Sequence, residues 1–221
     1  MATMRTRRTF AHSASRPASR AWPSAHAATD SFLPLPAELT PRNQASLLVE
    51  HADHRPVLFA HSILGVAAVL AAPALRPRAL VLVEPALYDL VRGSEAIERH
   101  ISAVTEARSR AACGDLRGFW AILRPLMFGG PFDSARWDAE RAVAEHWAQT
   151  PLPWGNGLRE GMLQGTPLLV ATGGWNDEYE HIAQHLVTLG AEHVVLRGAE
   201  HRPQDLPEFP TAVDDFIARL G

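Results

Sequence analysis

The chain has 221 residues, 47% of them hydrophobic and 20% charged, with a formal net charge of −3. These values fit one globular domain with a buried core and exclude a wholly disordered chain, and the small negative charge gives no electrostatic case for nucleic acid or an anionic membrane as partner. The single cysteine, Cys113, rules out an internal disulfide framework, and no apolar run approaches the roughly 18 residues that span a bilayer.

The first 29 residues carry Arg5, Arg7, Arg8, Arg16 and Arg20 and no acidic residue. Ala, Ser, Thr and Pro fill most of the remainder, and neither a strand nor a helix period is visible. Residues 1–38 are therefore expected to form a disordered basic tail. An Arg- and Ser-rich, acid-poor start also fits an organelle transit peptide, whereas Arg7-Arg8 lacks the apolar stretch that twin-arginine export requires. With no spanning segment, a cytoplasmic location is the expectation.

From Leu39 the pattern becomes regular. "LTPRNQASLLVEHADH" reads as a helix, with Thr40 as cap, Pro41 in the first turn, and Ala45, Leu48 and Val49 on one face. "PVLFA" (residues 56–60) is a short buried strand, and "GVAAVLAA" is a small-residue helix expected to stop at Pro73. "ALVLVEP" (79–85) is a second buried strand. The long stretch 88–164 reads as a helical insertion, in which Phe119, Trp120, Leu123, Leu126, Met127 and Phe128 could roof an apolar pocket or pack helix on helix. Gly129-Gly130-Pro131 could hinge a lid or form a plain loop. "TPLLVATGG" (166–174) is a third strand, and "EHVVLRG" (192–198) a fourth. Helices are expected over roughly 177–189 and 209–220.

Apolar strands alternating with helices predict a parallel sheet covered on both faces, with the core at 39–87 and 165–221. Such sheets place their sites at the carboxyl ends of the strands. There the sequence sets Ala60-His61-Ser62-Ile63-Leu64-Gly65, then Glu84, then Gly173-Gly174-Trp175-Asn176-Asp177, then Gly198-Ala199-Glu200-His201. A serine, a carboxylate and a histidine thus line one rim in the order Ser, acid, His. The letters F-A-H-S occur twice, in "TFAHSAS" and in "LFAHSIL". Ser62 follows an apolar strand and precedes a small-residue helix, so it can occupy a sharp turn, whereas Ser13 lies between "MRTRRT" and "ASRPASR", where no scaffold is expected.

Over residues 39–221 the sequence resembles the α/β-hydrolase superfamily, through "FAHSILG", "ALVLVEPAL", "LLVATGGWNDEYE" and "VVLRGAEHRPQDLPEF". The resemblance implies an α/β fold, a parallel sheet with helices on both faces, shortened at its amino terminus and carrying a helical cap. It implies a nucleophile at Ser62, a base at His201 and an acid at Asp177, with Glu84 as the alternative acid because some members carry it after the strand that follows the nucleophile helix. The Ile63 backbone N–H would supply one oxyanion donor, aided by the helix N-terminus. Phe119, Trp120, Leu123, Met127 and Trp175 are the substrate-pocket candidates. The expected function is hydrolysis of a small apolar ester, lactone or amide; the alternative is a truncated hydrolase-like protein that binds a ligand or partner without efficient catalysis.

Two departures from the family pattern stand out. The elbow G-x-S-x-G reads Ala60-His61-Ser62-Ile63-Leu64, and a leucine in the second glycine place should crowd the close approach of helix and strand, with Gly65 one place late. No strand pattern and no His-Gly precede the nucleophile strand, so one sheet edge is expected to be unpaired, which favours association of copies. His51-Ala-Asp-His54 has metal-like spacing but no third or fourth ligand and reads as the polar end of a helix. No nucleotide loop is present, so neither a metal nor a cofactor is implied; the partner expected is a small-molecule substrate.

Overall fold

The two F-A-H-S copies lie side by side. In the computed structural model, which describes residues 8–13, 30–35, 39–128 and 130–221, strand β1 (Arg8–Ser13) runs parallel to β3 (Val57–His61), with Phe10 opposite Phe59 and Ala11 opposite Ala60. Strand β2 (Asp30–Leu35) pairs with the other side of β1. Both strands fall in the segment expected to be a disordered tail, and that expectation is corrected here; its residues 1–7, 14–29 and 36–38 lie outside the described ones. Each strand is six residues long and bordered by Arg, Ser and Pro, so the local sequence carried little strand signal, and it is pairing in the sheet that defines them. The same observation removes the predicted open edge, because β1 covers β3.

The sheet has six parallel strands among the described residues, in the order β2-β1-β3-β4-β5-β6, where β4 is Ala79–Val83, β5 Leu168–Thr172 and β6 Glu192–Val195. Strands β4 and β5 are buried along their whole length, as strands with helices on both faces must be. On one face Val57, Phe59, Val81, Val83, Leu169 and Ala171 meet Phe209, Val213 and Phe216 of α7 (Glu208–Ala218). The alternate residues Leu58, Leu80, Leu82 and Val170 are fully buried as well, and α2 (Leu64–Leu75) packs on β3 and β4 with α1 (Pro41–His51) against it. Strand β6 differs from the expected buried fourth strand. It is shorter, it forms an edge, and Glu192 on it is paired with Arg219, a charged edge that discourages further pairing.

The helix expectations hold with adjustments. Thr40 caps α1 by accepting from the Asn43 N–H at 3.3 Å; Leu48 is buried, but Val49 is 43% exposed and not part of the inner face. Helix α2 does not stop at Pro73. It carries that proline in its last turn and ends at Arg76, whose φ is 46°.

The chain divides into two compact units. One comprises the sheet and its helices, up to Val91 and from Leu152 onward; α6 (Asp177–Thr188) belongs to it. In it the Asp89 carboxylate accepts from the N–H groups of Gly155, Asn156, Gly157 and Leu158. The other, Arg92–Pro151, holds α3 (Glu95–Ala112), α4 (Leu116–Phe128) and α5 (Trp137–Gln149). In this second unit the buried Glu140 accepts from Trp120 Nε1 at 2.7 Å and from Arg124 Nε at 3.0 Å. Gly129 of the Gly129-Gly130-Pro131 segment lies outside the described residues. No helix among them is long and apolar enough to cross a membrane.

Candidate active site

The carboxyl ends of β3, β4 and β5 are stitched together by backbone hydrogen bonds. Ser62, directly after β3, donates its N–H to the Val83 carbonyl at 2.9 Å and accepts from the Ala86 N–H at 3.2 Å. Glu84, directly after β4, donates its N–H to Ala171 at 2.9 Å. Ser62 has φ 56°, Glu84 φ 45°, and Glu200, the residue before His201, φ 47°. These are three of the five non-glycine residues with positive φ among the described residues. Left-handed backbone costs such residues roughly 1–3 kcal/mol each and is characteristic of functional sites, and it is the geometry that lifts a serine hydroxyl out of a strand-to-helix turn.

Glu84 is fully buried and its carboxylate is met by donors. Oε1 accepts from the Gly173 N–H at 2.6 Å, and Oε2 accepts from Trp175 Nε1 at 3.0 Å. His201 Nδ1 lies 3.3 Å from the same Oε2. A buried carboxylate needs such partners, and the pairing sets the imidazole tautomer. A carboxylate oxygen accepts, so it is the Nδ1–H that faces Glu84. His61 holds the backbone of the histidine loop, since its Nε2–H donates to the His201 carbonyl at 2.8 Å, and the two rings lie 4.6 Å apart. The loop can come this close only because Gly173 has no side chain. A Cβ there would meet the Glu200 carbonyl oxygen at 2.0 Å.

Around the imidazole stand two aromatic rings, Tyr179 at 5.1 Å and Trp175 at 6.1 Å between centroids. Tyr179 is buried. Burial, and then the charge of nearby Glu84 and Glu178, pushes its pKa well above that of an ordinary tyrosine. No hydrogen bond joins Ser62 to His201 among the described residues. The Ile63 N–H, at the mouth of α2, takes no acceptor among them either.

The fold has counterparts among solved structures. The chain aligns with a carboxylesterase of the ammonia-oxidizing thaumarchaeon Nitrososphaera gargenis at a TM-score of 0.55 and 14% identity, over 88% of this chain and 82% of that one. It aligns with an alpha/beta hydrolase from Sphaerobacter thermophilus at a TM-score of 0.53 and 18% identity, over 85% and 77%. The chain has the α/β-hydrolase fold. MenH from S. aureus is similar in the same way, with a TM-score of 0.51 and 16% identity over 81% of this chain and 74% of that one. At such identities the likeness is one of fold. No protein-family model matches the sequence, and no curated protein matches it.

Within this α/β-hydrolase fold the sequence-predicted residues separate. Ser62, Glu84, Trp175 and His201 gather at one rim, whereas Asp177 does not join them. It is the exposed first residue of α6, with no hydrogen bond or ion pair to His201 among the described residues. The carboxylate that reaches the imidazole is Glu84, because β4 lies between β3 and β5 and ends between the serine and the glycine loop. The close approach expected at Leu64 falls at Gly65 instead, where a Cβ would stand 3.3 Å from that of Pro85; Leu64 is buried as the first residue of α2. Phe119, Trp120 and Leu123 are buried and Met127 half-buried on α4, which packs on α3 and α5. Trp175 is 39% exposed, with its indole nitrogen committed to Glu84. Sequence reasoning passed over Gly173, Tyr179 and His61 as site residues. Only His61, next to the serine, could have been found by position.

Proposed function

We propose that the protein is a serine hydrolase acting on a small apolar ester, lactone or amide, with Ser62 as nucleophile, His201 as base and Glu84 as acid. The observation that carries this reading is the buried Glu84 paired with His201 Nδ1 at the strand end beside a serine held at φ 56°. A free serine hydroxyl is a poor nucleophile, so an imidazole must take its proton as the bond to the acyl carbon forms. His201 Nε2 accepts that proton and later gives it to the leaving group, while Glu84 keeps the ring in the required tautomer and stabilises the imidazolium. The oxyanion that develops accepts from the Ile63 N–H. The exposed apolar face of Trp175 beside the imidazole suits an uncharged acyl or alkyl group.

A fluorophosphonate probe tests this. Labelling located at Ser62 by mass spectrometry, lost in Ser62→Ala and accompanied by hydrolysis of short-chain nitrophenyl esters, is the expected result. A folded protein that neither labels nor hydrolyses any of them would instead favour the non-catalytic, ligand-binding reading.

A further inference from the structure

Among the described residues three donors meet the Glu84 carboxylate, and they divide unequally between its two oxygens. Oε1 accepts from the Gly173 N–H at 2.6 Å. Oε2 is shared, with Trp175 Nε1 at 3.0 Å and His201 Nδ1 at 3.3 Å. A carboxylate oxygen has two lone pairs and can serve both, and an indole N–H can only donate. Trp175 is held in place from outside Glu84. The residue before it, Gly174, donates its N–H to Glu180 Oε1 at 3.0 Å, and its carbonyl accepts from Arg197 Nη1 at 2.7 Å. The residue after it, Asn176, caps α6. The indole is thus carried on a loop tethered on both sides, whereas the Glu84 carboxylate can turn about its own side-chain bonds. Trp175 also faces outward, 39% exposed, with its ring 6.1 Å from that of His201 between centroids. One side chain touches the acid on its inner side and lines the space beside the base on its outer side.

We propose that Trp175 is a positioning residue for the acid: its indole N–H, together with the Gly173 N–H, holds the Glu84 carboxylate in the orientation that presents Oε2 to His201, while its exposed ring receives the acyl group of the substrate. This rests on the hydrolase reading above and ties the substrate wall to the acid. A residue that merely lined the pocket would act on long acyl groups and spare acetyl, which has too little carbon to cover an indole. A brace on Glu84 acts on every substrate alike, because each turnover passes through an imidazolium that the carboxylate must stabilise. Its loss therefore shows in kcat rather than in KM.

Two measurements on the full chain test this. In the first, Trp175→Phe keeps an aromatic ring and removes the N–H. With nitrophenyl acetate, butyrate and hexanoate, kcat should fall about tenfold on all three, the weight of one hydrogen bond to a charged group, while KM for the acetate stays close to wild type. Acetate turnover by a folded Trp175→Phe within twofold of wild type, or above it, overturns the positioning role, even if KM rises for the longer esters. The second measurement leaves Trp175 in place and needs no turnover. With nitrogen-15 at the indole of Trp175 alone, its N–H resonance should move upfield in Glu84→Gln, where a neutral acceptor replaces the carboxylate. It should move downfield in His201→Ala, where Oε2 serves the indole alone. Each shift should exceed that caused by the exposed control Glu50→Gln. A resonance that neither variant moves overturns the brace, whatever the activity; if Trp175→Phe or Glu84→Gln does not fold, His201→Ala decides. Should the wild type hydrolyse no ester and take no fluorophosphonate label while the resonance still shifts, the brace on the carboxylate stands and it is the hydrolase reading that falls.

Discussion

His201 Nδ1 and Glu84 Oε2 stand 3.3 Å apart although 117 positions separate them in the chain, and the carboxylate is fully buried while the imidazole is about a third exposed. On the proposed mechanism this pairing makes Glu84 the acid. Glu84→Gln keeps the shape but lets the amide nitrogen face Nδ1, which favours the wrong tautomer. The expected loss in turnover is about 10³–10⁴-fold, as for other acid-to-amide changes in such triads. Asp177→Asn alters an exposed helix-start residue and should stay within about twofold of wild type. Rates of nitrophenyl ester hydrolysis for the two variants decide the matter, and the reverse ranking would return the acid to Asp177.

Gly173 sets how closely the histidine loop approaches β5. A methyl group there would overlap the Glu200 carbonyl oxygen, at 2.0 Å, and the Trp175 ring, at 2.9 Å. The backbone cannot yield without moving the N–H that Glu84 accepts from. Gly173→Ala should therefore destabilise the fold by about 2–3 kcal/mol and slow labelling of Ser62 more than this loss of stability explains. Urea denaturation and labelling rate, measured together, separate the two effects; wild-type values in both would mean the loop has room that the structure does not show.

The legibility of this fold in its sequence is uneven, for physical reasons. Strands β3 to β5 announce themselves because a strand buried on both faces must be continuously apolar, and their ends then point to Ser62, Glu84 and His201. The choice between Glu84 and Asp177 was not legible. Both lie between Ser62 and His201 in the chain, and the family resemblance implied Asp177 first, but the decision lies in which strands are neighbours, and β4 between β3 and β5 is a tertiary fact. Asn176, not Asp177, does the capping of α6, its Oδ1 accepting from Glu178 and Tyr179 N–H groups. Tyr179 was invisible as a site residue because an aromatic on the inner face of an amphipathic helix reads as core. Strands β1 and β2 were missed because six-residue strands set among Arg, Ser and Pro carry no run long enough to register; the repeated F-A-H-S was the one clue, and its meaning is the register of two neighbouring strands.

That register makes its own prediction. Ala11 sits opposite Ala60 on one side and Leu33 on the other, so its N–H belongs to a ladder between two strands rather than to an edge. Proline has no N–H and fits badly inside a paired strand. Ala11→Pro should cost about 3 kcal/mol or more, against about 0.5–1 kcal/mol for the control Ala11→Gly. Thermal melts of the two variants provide the comparison. Equal melting temperatures for Ala11→Pro and wild type would remove β1 from the sheet, and with it the cover over β3.

The buried tyrosine pair also predicts the alkaline limit of stability. Burial first, and then neighbouring groups, raises the pKa of both Tyr88 and Tyr179 well above the ordinary value; Glu178 acts on both. In the unfolded chain both titrate near about 10. Below that pH the folded and unfolded states hold the same protons and stability is full. Above it the unfolded chain releases protons that the folded protein retains, so stability falls as pH rises, by about 1.4 kcal/mol per pH unit for each tyrosine, until the folded-state values are passed. The sequence contains no lysine, all 21 of its Lys and Arg residues being arginine, so no other side chain titrates in the window from about 9.5 to 11.5. Urea midpoints across that window should fall with the slope of two protons in the wild type and of one in Tyr88→Phe. A flat profile would mean that the tyrosines ionise as readily in the folded protein as in the unfolded chain.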